Sequence, residues 1–231
     1  EKAELQELCR YLRRCQTLLQ KGEPVADFLV WSEEPPVALS GYSCDFANGA
    51  MLDTALFEGR RVCFELERSY SDVAVTAAAL RQAGAEKLVR RLAANGVKVW
   101  LVPAGEAGET EAFAVFGQVE GAGAVRLMRE GAEGLRAADF RWASEVGGMA
   151  LKFLHRRTEG HEIYFVVNAG EAAGPVSCVF RDTGKGVPAR WDPVKGEIGL
   201  LDGNVRRQAD GSVAAAFFME PYDTCFIVFE R

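Results

Sequence analysis

Several residue patterns are missing or scarce in this sequence, and each absence excludes a class of protein. The chain has two histidines and six cysteines, no two cysteines stand in C-x-x-C spacing, and neither histidine lies at ligand spacing from a cysteine pair. A structural zinc site needs such grouped ligands, so none is expected. Lys and Arg number 27 against 33 Asp and Glu, which gives a net charge of -6. Nucleic-acid binding requires clustered positive charge and is not expected either.

Long apolar runs are also missing. No segment approaches the ~20 apolar residues that a membrane-spanning helix needs, and no basic stretch followed by an apolar one resembles a signal peptide. We therefore expect a soluble chain with no membrane partner. Apolar residues make up 48% and charged residues 26% of the sequence, which is the balance of a globular protein with a sizeable core.

The cysteines are scattered, and most of them stand among apolar neighbours. They are Cys9, Cys15, Cys44, Cys63, Cys178 and Cys225. We interpret them as buried free thiols, which slightly favours a reducing cytoplasm. Their even number leaves disulfides possible, so the sequence alone does not establish the compartment.

The first part of the chain alternates helical and strand patterns. Leucines and cysteines at helical spacing over residues 5–19 predict an amphipathic helix of about five turns, which ends before Gly22 and Pro24. Strands are predicted at 25–31, 61–66, 71–76 and 97–102, and helices at 51–56 and 80–94. Such alternation is typical of a parallel or mixed sheet covered by helices, of flavodoxin-like architecture. Within the weaker pattern of 105–138, a strand at 113–119 and a helix at 124–130 are predicted.

The pattern changes near residue 149, where alternating strands replace helices. Strands are predicted at 151–157, 162–168, 176–181, 187–191, 196–201, 212–219 and 225–230. Short strands at this spacing, with turn signals between them, predict an antiparallel β-sandwich. The predicted fold class is therefore α/β plus all-β. We place the α/β module, including the N-terminal helix, at 1–142 and the sandwich at 143–231.

Four stretches carry a family resemblance, and the third is the most specific. They are YLRRCQTLLQKGEPVAD (11–27), GYSCD (41–45) with Asn48 and Leu52, HRRT (155–158) followed by IYFVVN (163–168), and WDP (191–193) with Gly196. In this order they resemble the region after the catalytic barrel in glycoside hydrolase family 106, the α-L-rhamnosidases. The second stretch is also similar to a loop in the trimerisation domain of some β-galactosidases, although Cys44 stands where an aromatic residue is more usual.

The resemblance covers most of the chain and implies a flavodoxin-like or glutamine-amidotransferase-like module followed by a β-sandwich. In such enzymes the catalytic carboxylates and a calcium site belong to the barrel, and none of their positions matches one here. The resemblance thus implies no catalytic residue, cofactor or metal in this chain. It implies a non-catalytic accessory region whose partner is the catalytic barrel of the same polypeptide. We interpret both ends of the chain as boundaries of a region cut from a longer protein.

Two sites in the first module carry residues that could support chemistry. Glu33 and Glu34 follow the first strand, where open α/β sheets bind ligands, but adjacent residues on one loop rarely give the opposed carboxyl geometry of a glycosidase. A complete catalytic barrel also needs ~250 residues. Cys44 is the loop cysteine closest to a nucleophile position, yet no histidine precedes His155 to activate it. We favour structural roles for these residues.

Three residues of the second module are candidate carbohydrate or interdomain contacts. His155 and Arg156 are interpreted as partners of acidic or backbone groups at the boundary between modules, with a metal clip between His155 and His161 as the alternative. Trp191 is either a sugar-stacking platform or a packing anchor, and we favour packing. The alternatives to an accessory region are therefore a carbohydrate-binding module and an oligomerisation module.

Overall fold

The computed structural model of the chain describes residues 2–32, 36, 39–64, 68–102, 125–128, 134–181, 183–184, 186–201 and 204–231. The helices in these ranges are α1 (Lys2–Leu19), α2 (Gly49–Thr54), α3 (Ala77–Leu80) and α4 (Ala85–Ala94). None of the helices in these ranges combines the length and apolar character needed to cross a membrane.

The strands in the described ranges follow in chain order. They are β1 (Glu23–Pro24), β2 (Phe28–Trp31), β3 (Cys44–Ala47), β4 (Leu56–Glu58), β5 (Arg61–Cys63), β6 (Ser69–Tyr70), β7 (Asp72–Thr76), β8 (Lys98–Val102), β9 (Val125–Leu127), β10 (Phe140–Ala143), β11 (Leu151–Arg157), β12 (His161–Asn168), β13 (Gly174–Phe180), β14 (Ala189–Asp192), β15 (Glu197–Leu200), β16 (Val205–Arg207), β17 (Val213–Met219) and β18 (Thr224–Glu230). The chain folds into two compact units, one of Ala26–Ala137 and one of Glu1–Val25 with Ala138–Arg231.

The unit Ala26–Ala137 contains a parallel sheet of five described strands in the order β3-β2-β7-β8-β9. Helices α2, α3 and α4 pack on one face through residues such as Leu52, Ala79 and Leu92. The other face is covered by Leu39 and Met128, among others. Because both faces are covered, the central strands are apolar along nearly their whole length, as the sequence pattern indicated. A small antiparallel sheet, β4-β5-β6, completes the described part.

Several elements of this unit differ from prediction. Strand β3 forms at Cys44–Ala47, where the sequence indicated a loop, and strands β4 and β6 were not predicted. The helix predicted at 80–94 begins only at Ala85, as α4, after its N-cap residue Gly84, which adopts a left-handed φ of +83°. Helix α3 is a separate short helix that ends at Leu80. Residues 125–127 form strand β9 and not the predicted helix, since they pair with β8 in the sheet. The strand predicted at 113–119 lies outside the described residues.

The second unit is a β-sandwich. A six-stranded antiparallel sheet, β1-β11-β12-β18-β14-β15, faces a four-stranded one, β10-β13-β17-β16, within the described residues. Alternate residues of both sheets point inward and form one core that includes Tyr164, Phe180, Phe217 and Ile227. The strand pattern predicted for this region is confirmed, although β1, β10 and β16 were missed because strands of two to four residues show too little alternation.

Helix α1 belongs to this second unit. Its residues Cys15 and Leu18 are buried against Ile163, Phe226 and Val228 on the outer face of the six-stranded sheet. Strand β18 is consequently buried on both faces along most of its length. The sequence placed α1 in the first module because it precedes β2 in the chain, whereas its apolar face packs on strands that come much later. The division after Ala137 also lies a few residues before the predicted one, because β10 pairs with β13.

All six cysteines are free thiols. Cys15, Cys178 and Cys225 are buried as predicted, and burial raises the pKa of the Cys225 thiol to about 12. Cys9 is exposed on α1, which contradicts the prediction for that residue.

Candidate functional site

Trp191 lies in a row of apolar side chains that crosses the outer face of the six-stranded sheet. Residues paired directly across neighbouring strands point to the same face of a sheet. The pairing places five such residues side by side on β11, β12, β18, β14 and β15: Leu154, Phe165, Phe226, Trp191 and Ile198. The rings of Phe165 and Phe226 contact each other in a tilted arrangement, with centroids 4.7 Å apart. The row therefore forms a continuous apolar band across the sheet.

Helix α1 covers the middle of this band and leaves its ends open. Leu18 is buried in the cluster that includes Phe226, and Trp191 packs against that cluster while staying partly exposed. At the two ends, Leu154 and Ile198 are 57% and 62% exposed. Trp191 thus lies where the covered part of the band meets solvent.

Polar contacts fix the C-terminal end of α1 on the sheet. Arg156 donates from Nε to the carbonyl oxygen of Lys21 at 2.7 Å and from Nη2 to that of Gly22 at 2.6 Å. Carbonyls just past a helix end have no helical partner, so this guanidinium satisfies groups that would otherwise need water. Gly22 has a φ of +58°, and a Cβ at this position would overlap the carbonyl oxygen of Arg157.

Arg14 fixes the helix at a second point. Its Nη1 donates to the carbonyl oxygens of Pro193 at 3.0 Å and Val194 at 2.7 Å, in the turn between β14 and β15. The same turn is closed by Asp192, whose Oδ1 accepts from the backbone N–H of Val194 at 2.9 Å. The WDP stretch is therefore a docking turn for α1 as well as the end of a strand.

A cavity of about 370 Å³ opens between α1 and the sheet on one side of Trp191. Its wall is apolar and consists of Leu18, Ile163, Trp191 and Val228. Its edge is polar and carries Lys21, Thr158 and His161. A volume of this size falls in the range of about 300–1,000 Å³ that is typical of small-molecule pockets, and an apolar wall with a few polar groups is the usual composition of such pockets.

A smaller cavity of about 180 Å³ lies on the other side of the same tryptophan. It shares Leu18 and Trp191 with the first cavity, and Asp192 and Glu197 also line it. Arg14, which lines it too, is already bonded to the turn. Trp191 therefore separates the two cavities, and its side chain is more exposed than that of a fully packed core residue.

The polar groups at the edge of the larger cavity are available for a ligand. Within the described part of the chain, the Lys21 ammonium and the His161 ring make no hydrogen bond or ion pair. The Thr158 hydroxyl already accepts from the backbone N–H of His161 at 2.9 Å. Lys21 and Thr158 were not predicted as site residues, although both lie in stretches that carry the family resemblance.

His155 is buried on the opposite, inner face of the sheet. Its Nδ1 lies 2.9 Å from Oδ2 of Asp139, and its Nε2 lies 2.9 Å from Oε2 of Glu162. Burial lowers the pKa of His155, but the hydrogen bonds to the two carboxylates raise it more, so the net shift is upward. Both ring nitrogens need a proton to donate to a carboxylate, and only the imidazolium carries two. The ring also stacks on Tyr164 with centroids 3.9 Å apart.

Further groups complete the charge cluster around His155. Arg157 donates from Nε to Oε1 of Glu162 at 2.7 Å, and Nε of Arg231 lies 3.3 Å from the same oxygen. The Tyr164 hydroxyl donates to Oδ1 of Asp139 at 2.8 Å. Every polar atom of the His155 ring is therefore engaged, which makes the cluster a structural element that ties β10, β11, β12 and the end of β18 together.

The predicted candidate residues fall in separate places. Trp191 and Arg156 lie on the outer face of the sheet near α1, whereas His155 points into the core. His155 and His161 project to opposite faces, so a metal clip between them does not form. The described residues contain no group of His, Cys, Asp and Glu arranged to hold a metal ion.

In the parallel unit, Glu33 and Glu34 lie outside the described residues. Cys44 is partly buried, and burial together with Asp27 and Asp45 raises the pKa of its thiol to about 12. A thiol with such a pKa is protonated at neutral pH and is a poor nucleophile.

Comparisons with known proteins point to one family. The family model described as alpha-L-rhamnosidase, glycoside hydrolase family 106, matches residues 2–202. A search of curated proteins finds no match to this chain.

One solved structure shares the fold. The structure of a rhamnosidase from Novosphingobium sp. PP1Y is 23% identical, with a TM-score of 0.72 over 97% of this chain. The chain spans 24% of that rhamnosidase. A catalytic mutant of a GH42 beta-galactosidase from G. stearothermophilus is 7% identical and has a TM-score of 0.49, covering 99% of this chain and 44% of its own.

Proposed function

Because the chain belongs to glycoside hydrolase family 106, the alpha-L-rhamnosidases, we propose that it is a non-catalytic accessory region that packs against the catalytic barrel of the same polypeptide. The chain spans only 24% of the related rhamnosidase structure, which leaves ample length in that relative for a separate catalytic domain. In this role the chain supports the catalytic domain and performs no hydrolysis of its own.

The observation that carries this proposal is an unpaired apolar stripe on α1. Leu5, Leu8 and Leu12 are 61%, 52% and 46% exposed. Their spacing of three and four residues puts them on one helix face, and the same face is buried farther along the helix at Cys15. Surface leucines in a continuous stripe mark interaction sites, which supports a domain docked on this half of the helix.

The proposal is tested in two steps. The isolated chain is assayed on an aryl α-L-rhamnoside, and no turnover is expected. In the intact enzyme, Leu8→Ser is then compared with Arg10→Ser, a substitution at an exposed position of the same helix. Leu8→Ser is expected to lower the Tm of the enzyme more than Arg10→Ser does. Robust turnover by the isolated chain, or equal effects of the two substitutions, would contradict the proposal.

We also propose that the unit Ala26–Ala137 is flavodoxin-like. Numbered within the sheet, the order β3-β2-β7-β8-β9 reads 2-1-3-4-5, the order of doubly wound flavodoxin-like sheets. A crystal structure tests this through the crossover connections, which are right-handed in such sheets. A left-handed crossover would argue against it.

A second candidate function is carbohydrate binding beside Trp191. The observation that favours it is the pair of cavities that share the indole as a wall. Indole rings offer an apolar face to the C–H groups of a sugar and an N–H to its hydroxyls. Titration of the isolated chain with sugars tests this function independently of docking to a barrel.

A further inference from the structure

We infer that the cavity between α1 and the outer sheet face binds a pyranose that carries a carboxylate, a hexuronate. The inference rests on the second proposed function, sugar binding beside Trp191, and specifies the chemistry of the ligand. It concerns the larger cavity, of about 370 Å³.

The charge of the lining selects an acidic ligand. Lys21 and His161 stand at the edge of the cavity, and no carboxylate lines it. The lining thus carries the positive charge of Lys21 and no negative charge, in a protein with a net charge of -6. By contrast, the smaller cavity has Asp192 and Glu197 in its lining, and a carboxylate ligand would be repelled there. Charged groups at a site steer and select ligands of opposite sign.

The C-terminal end of α1 would disfavour an anion if it were uncompensated, because helix C-termini carry partial negative charge. Arg156 removes this obstacle. Its guanidinium binds the carbonyl oxygens of Lys21 and Gly22 and so places a positive charge just past the end of the helix. Arg156 also shares the outer sheet face with Ile163, its direct partner on β12. The end of the helix beside the cavity is therefore cationic overall.

An acidic residue is paired with His161 across the sheet. Glu230 is the direct partner of His161 across β12 and β18, so its side chain projects from the same face. It is not part of the cavity lining. Its negative charge opposes an anionic ligand at His161. Removing that charge should therefore strengthen binding of such a ligand, whereas removing the charge of Lys21 should weaken it.

Each part of the lining has a role for such a ligand. The Lys21 ammonium and the His161 ring donate to the carboxylate, since charge-assisted hydrogen bonds are stronger than neutral ones. The apolar wall formed by Trp191 and Val228 accepts the C–H face of the ring. In the described residues the Trp191 indole N–H has no partner and is not among the buried unpaired donors, so it is free to donate to a ring hydroxyl.

The experiment uses the 231-residue chain and isothermal titration, supported by NMR shift mapping. The probes are methyl β-D-glucuronide and methyl β-D-glucoside, which differ only in the carboxylate. The glucuronide is expected to bind about tenfold more tightly, the value of one charge-assisted hydrogen bond. Its affinity is expected to fall as salt rises, because exposed charges are screened.

Variants assign the effect to the cavity. Lys21→Met is expected to remove most of the preference for the glucuronide, and Glu230→Gln is expected to increase it. Lys195→Met is the matched control, since Lys195 is an exposed lysine that pairs with Asp192 and does not line this cavity. An unchanged Tm for each variant confirms that the fold is intact.

The outcomes separate the two proposals. Equal affinity for both probes overturns the inference of an acidic ligand and leaves sugar binding standing. No binding of either probe, with the fold intact, overturns both. A preference that Lys195→Met abolishes and Lys21→Met does not would place the ligand elsewhere and would also overturn the inference.

Discussion

Glu162 accepts a hydrogen bond from Nε2 of His155 at 2.9 Å, deep inside the sandwich. Both side chains are almost completely withdrawn from solvent. A second carboxylate, Asp139, binds the other ring nitrogen, so one buried imidazolium holds two buried anions together. Without the imidazolium, Arg181 remains 3.5 Å from Oδ1 of Asp139, and Arg157 and Arg231 remain beside Oε1 of Glu162. The two carboxylate oxygens that face the ring, however, lose their charged partner.

The first prediction concerns the loss of this imidazolium. His155→Ala leaves Asp139 and Glu162 without their shared cation, and we expect it to lower the free energy of unfolding by about 3–5 kcal/mol. Urea denaturation measures this change. The matched control is His161→Ala, because His161 is exposed. Its replacement is expected to lower the free energy of unfolding by less than about 0.5 kcal/mol. Similar costs for both variants would mean that the buried cluster contributes little to stability.

The second prediction is a pH dependence with a definite sign. In the folded protein the pKa of His155 lies above its ordinary value of 6.5, because the hydrogen bonds to Asp139 and Glu162 outweigh the effect of burial. The folded state then binds more protons than the unfolded state between the two pKa values, so stability decreases as pH rises. The contribution of His155 is complete below about pH 6.5 and is lost as pH rises through the raised pKa.

The difference in unfolding free energy between wild type and His155→Gln measures this contribution. We expect the difference to be largest at slightly acidic pH and to shrink on the alkaline side. A difference that grows with rising pH would show that the ring is neutral in the folded protein.

The third prediction concerns Gly22, where the chain turns from α1 into β1. Gly22→Ala combines a left-handed φ of +58° with an overlap between the new Cβ and the carbonyl oxygen of Arg157. We expect a loss of stability above the ~1 kcal/mol that left-handed strain alone costs. Gly211→Ala is the control in the same unit, since its φ is +88° and nothing lies within 4 Å of the added carbon. Equal losses of stability for Gly22→Ala and Gly211→Ala would indicate that the backbone at Gly22 shifts to accommodate the new Cβ.

The fourth prediction separates the two halves of α1. Leu18 is buried against the sheet, and Leu18→Ala is expected to cost about 2–5 kcal/mol through the lost contacts and the cavity left behind. Leu8 is exposed in this chain, and Leu8→Ala is expected to change stability by less than about 0.5 kcal/mol. Chemical denaturation of the isolated chain gives both values. A large cost for Leu8→Ala would mean that the first half of the helix is already covered.

The fifth prediction concerns thiol reactivity. Cys44 has a pKa raised to about 12 by burial and by nearby Asp27 and Asp45, so it is protonated at pH 7.5 and is expected to react slowly with iodoacetamide. Cys9 is exposed and is expected to react first. Mass spectrometry of timed alkylation reports the order. Faster labelling of Cys44 than of Cys9 would contradict this prediction and would favour a nucleophilic role for Cys44.

The sandwich strands were predictable because each one carries its own alternating pattern. The register of β11 and β12, for example, follows from the turn between Arg157 and His161 and from the apolar residues on either side. The break at Gly84 was less visible, because a single glycine inside a helical pattern is often tolerated. Its left-handed backbone, and not the apolar spacing, marks where α4 begins.

The position of α1 and the cavity beside it could not be predicted from local patterns. Helical spacing shows which face of α1 is apolar but not which surface buries it. The cavity brings together Lys21 at the end of α1, His161 at the start of β12 and Trp191 on β14, and only the folded chain makes them neighbours. The charge of its lining is likewise a property of the assembled site.

The discontinuous sandwich unit has a consequence for biosynthesis. The whole unit Ala26–Ala137 is translated between α1 and the strands that bury it, and β18, whose Phe226 and Val228 contact the helix, is the last strand of all. Domains usually fold as units while the chain emerges from the ribosome. The parallel unit can therefore fold first, while the leucine-rich face of α1 is still exposed to solvent. During this interval the exposed apolar face of α1 can aggregate. We therefore expect the nascent helix to bind a chaperone that recognises short apolar segments.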